Sequence, residues 1–159
     1  MRQLFHRNPL VAATLVGGAI GGTLDLAFAV GMALFRGDTA ADLLRTVASG
    51  ALGRAALDGG AGMAALGLGF HFALSWGWAA LIGMAVRDLP DGLAGRPLAV
   101  AMIAGTLVFL VMRQVVLPLS GFPFPVELAF SLPLLLDWIS HMFLFALPMV
   151  LAARRTRAG

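Results

Sequence analysis

Four long apolar stretches alternate with short polar connections along the chain. As helices, stretches of this length cross roughly 30 Å of hydrocarbon. Pro9 and Pro97 stand where the first and third stretches begin, and proline suits the first turn of a helix. The first apolar run continues past the small residues "AFA" to Phe35, so we expect a span there and not a cleaved signal peptide. We predict membrane-spanning helices over about 9–35, 62–86, 97–117 and 126–152.

The connection between the first two spans, "TAADLLRTVASGALGRAALDGG", is too polar to cross a membrane. Its apolar positions fall near one helical face, whereas Asp42, Arg45 and Asp58 lie elsewhere. This pattern predicts an amphipathic interfacial helix over about 40–58 that lies on the membrane interface or dips into it. A plain soluble hairpin is the alternative. The apolar positions are Leu43, Leu44, Val47, Ala51 and Leu52.

Composition supports a membrane protein and excludes several site chemistries. The chain has 159 residues, of which 60% are hydrophobic and 12% are charged. A soluble domain needs more charge to cover its surface. We therefore predict one all-α domain, an integral membrane four-helix bundle. The chain has no cysteine, which excludes disulfides, iron–sulfur clusters and c-type haem attachment.

Arginine is distributed unequally between the two ends of the predicted bundle. With the N-terminus in the cytoplasm, seven arginines face the cytoplasm and three fall in the outer connections. The positive-inside rule then predicts both termini on the cytoplasmic side of a bacterial inner membrane. We expect the lipid bilayer and no nucleic acid as a partner, since no basic patch is interleaved with aromatic residues. The seven are Arg2, Arg7, Arg87, Arg96, Arg154, Arg155 and Arg157, and the three are Arg36, Arg45 and Arg54.

Five ionisable residues lie inside the predicted spans: Asp25, His71, Arg113, Asp137 and His141. Such groups are costly in hydrocarbon, so each needs a partner or a water-filled cavity. Counted from the predicted span ends, the acids and histidines fall in the central third of the bilayer, and Arg113 lies near the outer end of the third span. Asp137 and His141 are four residues apart and share a helical face.

Small residues lie on the same helical face as Asp25 in the first predicted span and as His71 in the second. Small residues let helices approach closely, so both stripes are predicted to face neighbouring helices. We therefore predict a buried polar cluster of Asp25, His71, Asp137 and His141, with Arg113 as its counter-ion. The stripes are Gly18, Gly21, Gly22 and Asp25 in the first span, and Gly60, Ala64, Gly67, His71 and Ser75 in the second.

The leading functional hypothesis is a non-enzymatic, proton- or ion-responsive membrane protein. Histidine titrates near neutral pH, and a neighbouring carboxylate shifts that titration. His141 is then the titrating group, Asp137 its orienting acceptor and Arg113 the charge balance. In the simpler alternative, the Asp137–His141 pair only fixes helix register and Arg113 extends to the surface.

Three other functions remain open from the sequence. Two imidazoles on facing helices suit b-type haem, which would make His71 and His141 the axial ligands of an electron-transfer subunit. His71, His141, Asp137 and Asp25 together suit a transition metal. An accessory subunit would dock its glycine stripes on other membrane subunits or on a second copy, and would leave them exposed in the monomer. No nucleotide, serine-nucleophile or zincin motif is present, so we assign no catalytic residue.

Three segments also resemble a known family: "GFHFALSWGWAALIGMAV", "FLVMRQVVLPLSGFPFP" and "LLDWISHMFLFALPMVLAARR". Over roughly the last hundred residues the chain is similar to the uncharacterised YagU-type family of small bacterial inner-membrane proteins. The resemblance highlights His71, Pro118, Asp137 and His141, and Arg113 stands where a histidine is expected. That family has no established molecular activity, so the resemblance implies an architecture and a site but no chemistry.

Overall fold

The computed structural model describes residues 8–126 and 128–156, and all regular structure within them is helical. Four helices are long and apolar enough to span a membrane, which confirms the predicted all-α membrane bundle. These spans are α1 (Pro9–Phe35), α3 (Ala61–Arg87), α5 (Pro97–Leu119) and α6 (Leu132–Arg154). Two shorter helices, α2 (Ala40–Leu52) and α4 (Asp91–Ala94), connect them.

The chain order gives the bundle two distinct ends. The start of α1, the short α4 and the end of α6 lie at one end, called here the terminal end. Helix α2 and the connection between α5 and α6 lie at the other, called here the α2 end. Ionisable groups can therefore be located by their distance from either end.

The glycine stripe of α1 packs inside the chain. A Cβ on Gly21 would lie 2.5 Å from the Phe145 carbonyl oxygen, and one on Gly22 would lie 2.7 Å from Ser75 Oγ. On the α3 stripe Ala64, Gly67 and Ser75 are buried, and only Gly60 is open. The accessory-subunit hypothesis expected both stripes to stay exposed, and this expectation is wrong. Their small residues let α1, α3 and α6 approach one another within the chain.

A continuous hydrophobic core fills the terminal half of the bundle. Helix α5 packs closely on α6 there, because a Cβ on Gly105 would overlap the Met142 backbone. The core residues come from α3, α5 and α6, so the three helices bury one common set of side chains. The members of this core are Ala79, Ile82, Val86, Val100, Ala101, Val108, Phe145, Ala146, Met149, Val150 and Ala153.

Helix α2 packs against the bundle and is shorter than predicted. Thr39 caps its start, and Gly53, with φ of +71°, ends it at Leu52 instead of near residue 58. A Cβ on Gly67 of α3 would overlap the Leu44 carbonyl, so α2 and α3 are in backbone contact. The helix therefore packs on the bundle at the α2 end, and its predicted place on or in the membrane interface stays a prediction.

Helix α6 begins later than the hydropathy pattern predicts. Ser131 accepts a hydrogen bond from the Leu134 amide at 3.3 Å, and Pro133 stands in the first turn. Asp137 is then five residues from the helix start, about 8 Å along the axis, and His141 is about 14 Å along it. The predicted start at 126 is wrong, and Asp137 lies nearer to the α2 end of its helix than the predicted bounds place it.

Candidate functional site

A chain of polar side chains joins α5 to α6. Arg113 Nη1 lies 3.3 Å from Asp137 Oδ2, and His141 Nδ1 lies 3.3 Å from Asp137 Oδ1. Both carboxylate oxygens are therefore occupied by different partners. The arginine guanidinium also lies over the Phe109 ring, 5.7 Å from its centroid. Of the two predicted placements of Arg113, the structure has the one directed at a carboxylate.

Local breaks in regular α-helix position this chain. Residues Met112–Val116 of α5 and His141–Ala146 of α6 are π-helical, so Arg113 and His141 both lie in such segments. Pro118 and Pro148 follow each segment and lack the N–H that would bond to the carbonyl four residues earlier. Segments of π-helix are rare and are frequently found at functional sites. Neither segment was predicted from the sequence, although an interior proline was the available signal.

The hydrogen bonds of His141 define which ring nitrogen takes up a proton. Its Nδ1 lies 2.8 Å from the Asp137 backbone carbonyl oxygen as well as near the carboxylate. A carbonyl only accepts, so Nδ1 carries the hydrogen in the neutral ring and donates it. The Nε2 atom is then the proton acceptor. Phe109 and Phe145 flank the ring, with centroids at 5.7 and 5.8 Å.

Asp25 supplies a second carboxylate from α1. It interacts electrostatically with His141, His71 and Asp137, and it makes no hydrogen bond to any residue in the described part of the chain. Coulomb interactions at membrane depth are weakly screened, so this proximity matters without direct contact. The structure thus brings Asp25 beside the chain but not into it.

His71 has a different role from the one predicted. Its Nε2 donates to the Gly22 carbonyl oxygen at 2.8 Å, and its ring meets Phe72 edge-on at 5.4 Å. Gly22 is packed against Ser75, which fixes α1 and α3 around this bond. His71 therefore connects α1 and α3. Its link to the Arg113–Asp137–His141 chain is an electrostatic interaction with Asp25.

The predicted burial of the polar cluster needs correction. The side chains of Arg113, Asp137 and His141 are 25%, 34% and 16% exposed, and Asp25 and His71 are half-buried. Within residues 8–126 and 128–156 the fully buried polar side chains are serines. An open cavity beside the charged side chains is the reason that they are not buried.

That cavity is a cleft of about 720 Å³ at the α2 end, called here the α2-end cleft. Arg113 and Asp137 form its polar floor, and Arg36 stands at its rim. Its walls are apolar and come from α1, α2, α6 and the α5–α6 connection. Intramembrane charges that face an open cavity avoid much of the cost of contact with lipid. Among the wall residues are Phe28, Met32, Leu43, Phe122, Ala129 and Phe130.

The geometry does not favour the haem and metal hypotheses. Haem needs two free imidazole nitrogens directed at a common slot, but His71 Nε2 is bonded to Gly22 within a tight helix contact. Among the described residues no three histidine or acidic side chains converge closely enough to hold a metal ion. The proposed ligands Asp25, His71, Asp137 and His141 share electrostatic interactions but form no coordination shell.

Comparisons with known proteins gave no match. No protein-family model, no curated protein and no solved structure matches this chain. The resemblance to the YagU-type family therefore stays a prediction. What the site does must be argued from its own geometry, that is, from the Arg113–Asp137–His141 chain and the cleft above it.

Proposed function

We propose that the chain is a non-enzymatic, proton-responsive protein of a bacterial inner membrane. One observation carries this proposal: Arg113 and Asp137 lie at the floor of an open cleft, and the Asp137 carboxylate contacts both Arg113 and His141 at 3.3 Å. An imidazole beside a carboxylate, reached by water inside a membrane, is the group that responds to pH near neutrality.

Protonation changes the charge balance among three helices. When His141 takes a proton at Nε2, its imidazolium and the Arg113 guanidinium together balance the carboxylates of Asp25 and Asp137. When the proton leaves, two carboxylates on α1 and α6 face one guanidinium on α5. The attraction between the Asp25 carboxyl group on α1 and the imidazolium on α6 is then lost, and the packing of α1 against α6 responds. This coupling links the pH of the cleft to the arrangement of the helices.

The arginine distribution supports the proposed orientation. Arg87, Arg96, Arg154 and Arg155 lie at the terminal end, while Arg36, Arg45 and Arg54 lie at the α2 end. Arg2, Arg7 and Arg157 belong to the sequence near the termini and lie outside the described residues. The positive-inside rule then favours a cytoplasmic terminal end and an α2 end that faces outward.

A pair of histidine variants tests the proposal. We expect the thermal unfolding temperature of the protein in lipid nanodiscs to vary between about pH 5 and pH 8, where an imidazole titrates. The His141→Gln variant is expected to lose this variation. The matched His71→Gln variant loses a helix–helix hydrogen bond, so it is expected to unfold at a lower temperature at every pH and to keep the variation.

Two results would overturn the proposal. One is a His141→Gln protein that keeps the full pH dependence of the original chain. The other is a His141→Gln protein whose unfolding temperature falls by the same amount at every pH while the original chain shows no variation. The second result would give His141 a purely structural role, in which the Asp137–His141 pair only fixes helix register.

A further inference from the structure

The ionisable residues occupy only one half of the bundle. Asp25, His71, Arg113, Asp137 and His141 all lie on the α2 side of their helices, and the remainder of each span carries no ionisable side chain up to its terminal end. At 1.5 Å per residue these uncharged lengths amount to about 18–24 Å, most of the hydrocarbon thickness. They are residues 9–24 of α1, 72–86 of α3, 97–112 of α5 and 142–153 of α6.

Close packing seals this uncharged half. Val108, Ala146, Met149 and Val150 are at most 2% exposed and fill the space between α5, α6 and their neighbours. A Cβ on Gly17 of α1 would lie 3.0 Å from the Met149 Cα, so α1 and α6 leave no gap there. A packed apolar region excludes water, and a charge placed in it costs several kcal/mol.

The opposite half offers a polar route from the surface to His141. Arg36 stands at the cleft rim, and Arg113 and Asp137 form its floor. Asp137 Oδ1 in turn lies 3.3 Å from Nδ1 of His141, one helical turn further along α6. The cleft therefore leads, through one carboxylate, to the Nδ1 side of the His141 imidazole.

Two apolar grooves between α3 and α5 provide no second aqueous route. One, of about 680 Å³, reaches His71 near the α2 end, and the other, of about 240 Å³, lies toward the terminal end. Trp78 and Leu81 line both grooves. The groove at the terminal end is lined by hydrophobic side chains alone, so hydrocarbon and not water suits it.

We propose that the site is a one-sided vestibule: protons and small hydrophilic solutes reach Asp137 and His141 from the α2 end only. The functional meaning of this inference rests on the proposed proton response. A group that exchanges protons with one side and is sealed from the other senses the pH of a single compartment and does not conduct protons across the membrane. In the proposed orientation that compartment is outside the cytoplasm.

The groups that surround His141 come from each packed helix. Asp25 faces it from α1, Asp137 from its own helix and Arg113 from α5 through Asp137, while His71 of α3 is held by the Gly22 carbonyl. On α2, Arg45 bonds to Asp42 and to the Gly59 carbonyl. The charged groups that face His141 are therefore the carboxyl groups of Asp25 and Asp137, with the Arg113 guanidinium behind Asp137.

The lack of cysteine in the chain permits a direct accessibility test. Single-cysteine variants in sealed proteoliposomes are treated from one side with a charged, membrane-impermeant methanethiosulfonate. Met32→Cys places a thiol in the cleft wall. Val150→Cys places a thiol in the sealed core, where the cysteine side chain is similar in size to the valine that it replaces. Ala55→Cys marks the α2 end and Arg155→Cys marks the terminal end, since both positions are exposed.

We expect Met32→Cys to react only when the reagent is added on the side from which Ala55→Cys is labelled. Its reaction is expected to be at least about tenfold faster than that of Val150→Cys, because the reagent needs a thiolate in water. Three outcomes would overturn the vestibule. They are labelling of Met32→Cys from the Arg155→Cys side, labelling of Met32→Cys from neither side, and labelling of Val150→Cys at a rate near that of Met32→Cys.

The labelling result is independent of whether His141 titrates. If the labelling has the expected sidedness and the unfolding temperature does not vary with pH, the vestibule stands and the proton-responsive function fails. If the unfolding temperature varies with pH but Val150→Cys reacts readily, the function stands and one-sided access is wrong. The two proposals therefore fail separately.

Discussion

Asp137 is the residue on which the site depends. Its two carboxylate oxygens contact different partners, Arg113 on α5 through Oδ2 and His141 on α6 through Oδ1. A hydrogen bond between charged groups contributes more than one between neutral groups. Because Asp137 is a third exposed to the cleft, part of that contribution is lost to solvent screening.

A double-mutant cycle measures the Arg113–Asp137 contact. We expect Arg113→Gln and Asp137→Asn each to destabilise the protein, with a coupling free energy of about 1 kcal/mol, since both groups are partly exposed. Chemical denaturation in mixed micelles gives the four free energies of unfolding. The matched control is the Arg36–Asp38 pair, at 3.5 Å with both side chains about half exposed. The coupling free energy of this control pair is expected to be near zero. Equal coupling free energies for the two pairs would contradict the site geometry.

The residues of the site were only partly predictable from sequence. The i,i+4 spacing of Asp137 and His141 was sufficient to pair them, because helix geometry alone decides that contact. The partner of His71 was not predictable, since the Gly22 carbonyl is a backbone atom brought close by glycine packing between α1 and α3. Contacts of this kind depend on tertiary structure and leave no pattern in spacing.

Among the elements, α2 depends on one close backbone approach. The carbonyl of Leu44 occupies the space that a side chain at Gly67 would need, so α2 docks on α3 only if residue 67 lacks a Cβ. Helix α2 also hydrogen-bonds to the α5–α6 connection, where the Gly121 amide donates to the Gly50 carbonyl at 2.7 Å. The floor of the cleft is thus bordered by an element that α3 holds in place.

Substituting glycines of α3 tests this contact. The Gly67→Ala variant is expected to lower the free energy of unfolding by about 1–3 kcal/mol, because the added methyl meets a backbone atom that cannot rotate away. The control is Gly69→Ala on an open face, where a Cβ meets nothing within 4 Å. That variant is expected to be neutral or slightly stabilising, since alanine favours helix. Equal losses of stability in the two variants would contradict the α2–α3 contact.

The start of α2 carries its own pH dependence. Hydrogen bonds from the Thr39 side chain and amide, followed by the Arg45 guanidinium, lower the pKa of Asp42 from 3.8 to about 2. Because the folded pKa is depressed, the stabilisation is fully present above about pH 4 and is lost as the pH falls toward 2. We expect amide chemical shifts of the first turn of α2 to change over that range.

The Asp42→Asn variant is the control for the acid transition. It retains the side-chain shape but cannot ionise, so its first-turn shifts are expected to stay constant between about pH 4 and pH 2. A transition of equal size in the variant would show that another group is responsible. This acid transition is separate from the response near neutral pH that we assign to His141.

Element boundaries followed the hydropathy pattern only where a cap agreed with it. The predicted starts of the first and third spans agree with the helix starts at Pro9 and Pro97, because proline at the first turn gave a local signal. The apolar stretch before Leu132 was counted as helix, although Ser131 and Pro133 mark the true start. Hydropathy alone does not distinguish an apolar loop from an apolar helix.

At the scale of the whole molecule, the bundle has a polar half and an apolar half. The polar half contains the cleft, α2 and every intramembrane ionisable side chain in the described spans. The apolar half contains the packed core between α3, α5 and α6. The sequence predicted the bundle and a polar cluster in its outer half, whereas the close packing of the apolar half depends on contacts between helices.

The central claim is that His141 titrates beside Asp137, which lines the α2-end cleft, and ¹⁵N NMR of histidine-labelled protein in nanodiscs measures this titration directly. The ¹⁵N signals of His141 Nδ1 and Nε2 are assigned by their absence from the spectrum of His141→Gln. Their chemical shifts are expected to show a neutral ring with its hydrogen on Nδ1. That ring is expected to take up a proton at Nε2 between about pH 5 and pH 8. The Asp137→Asn variant is expected to move the midpoint of that titration. A His141 ring whose shifts stay constant over this range would contradict the claim.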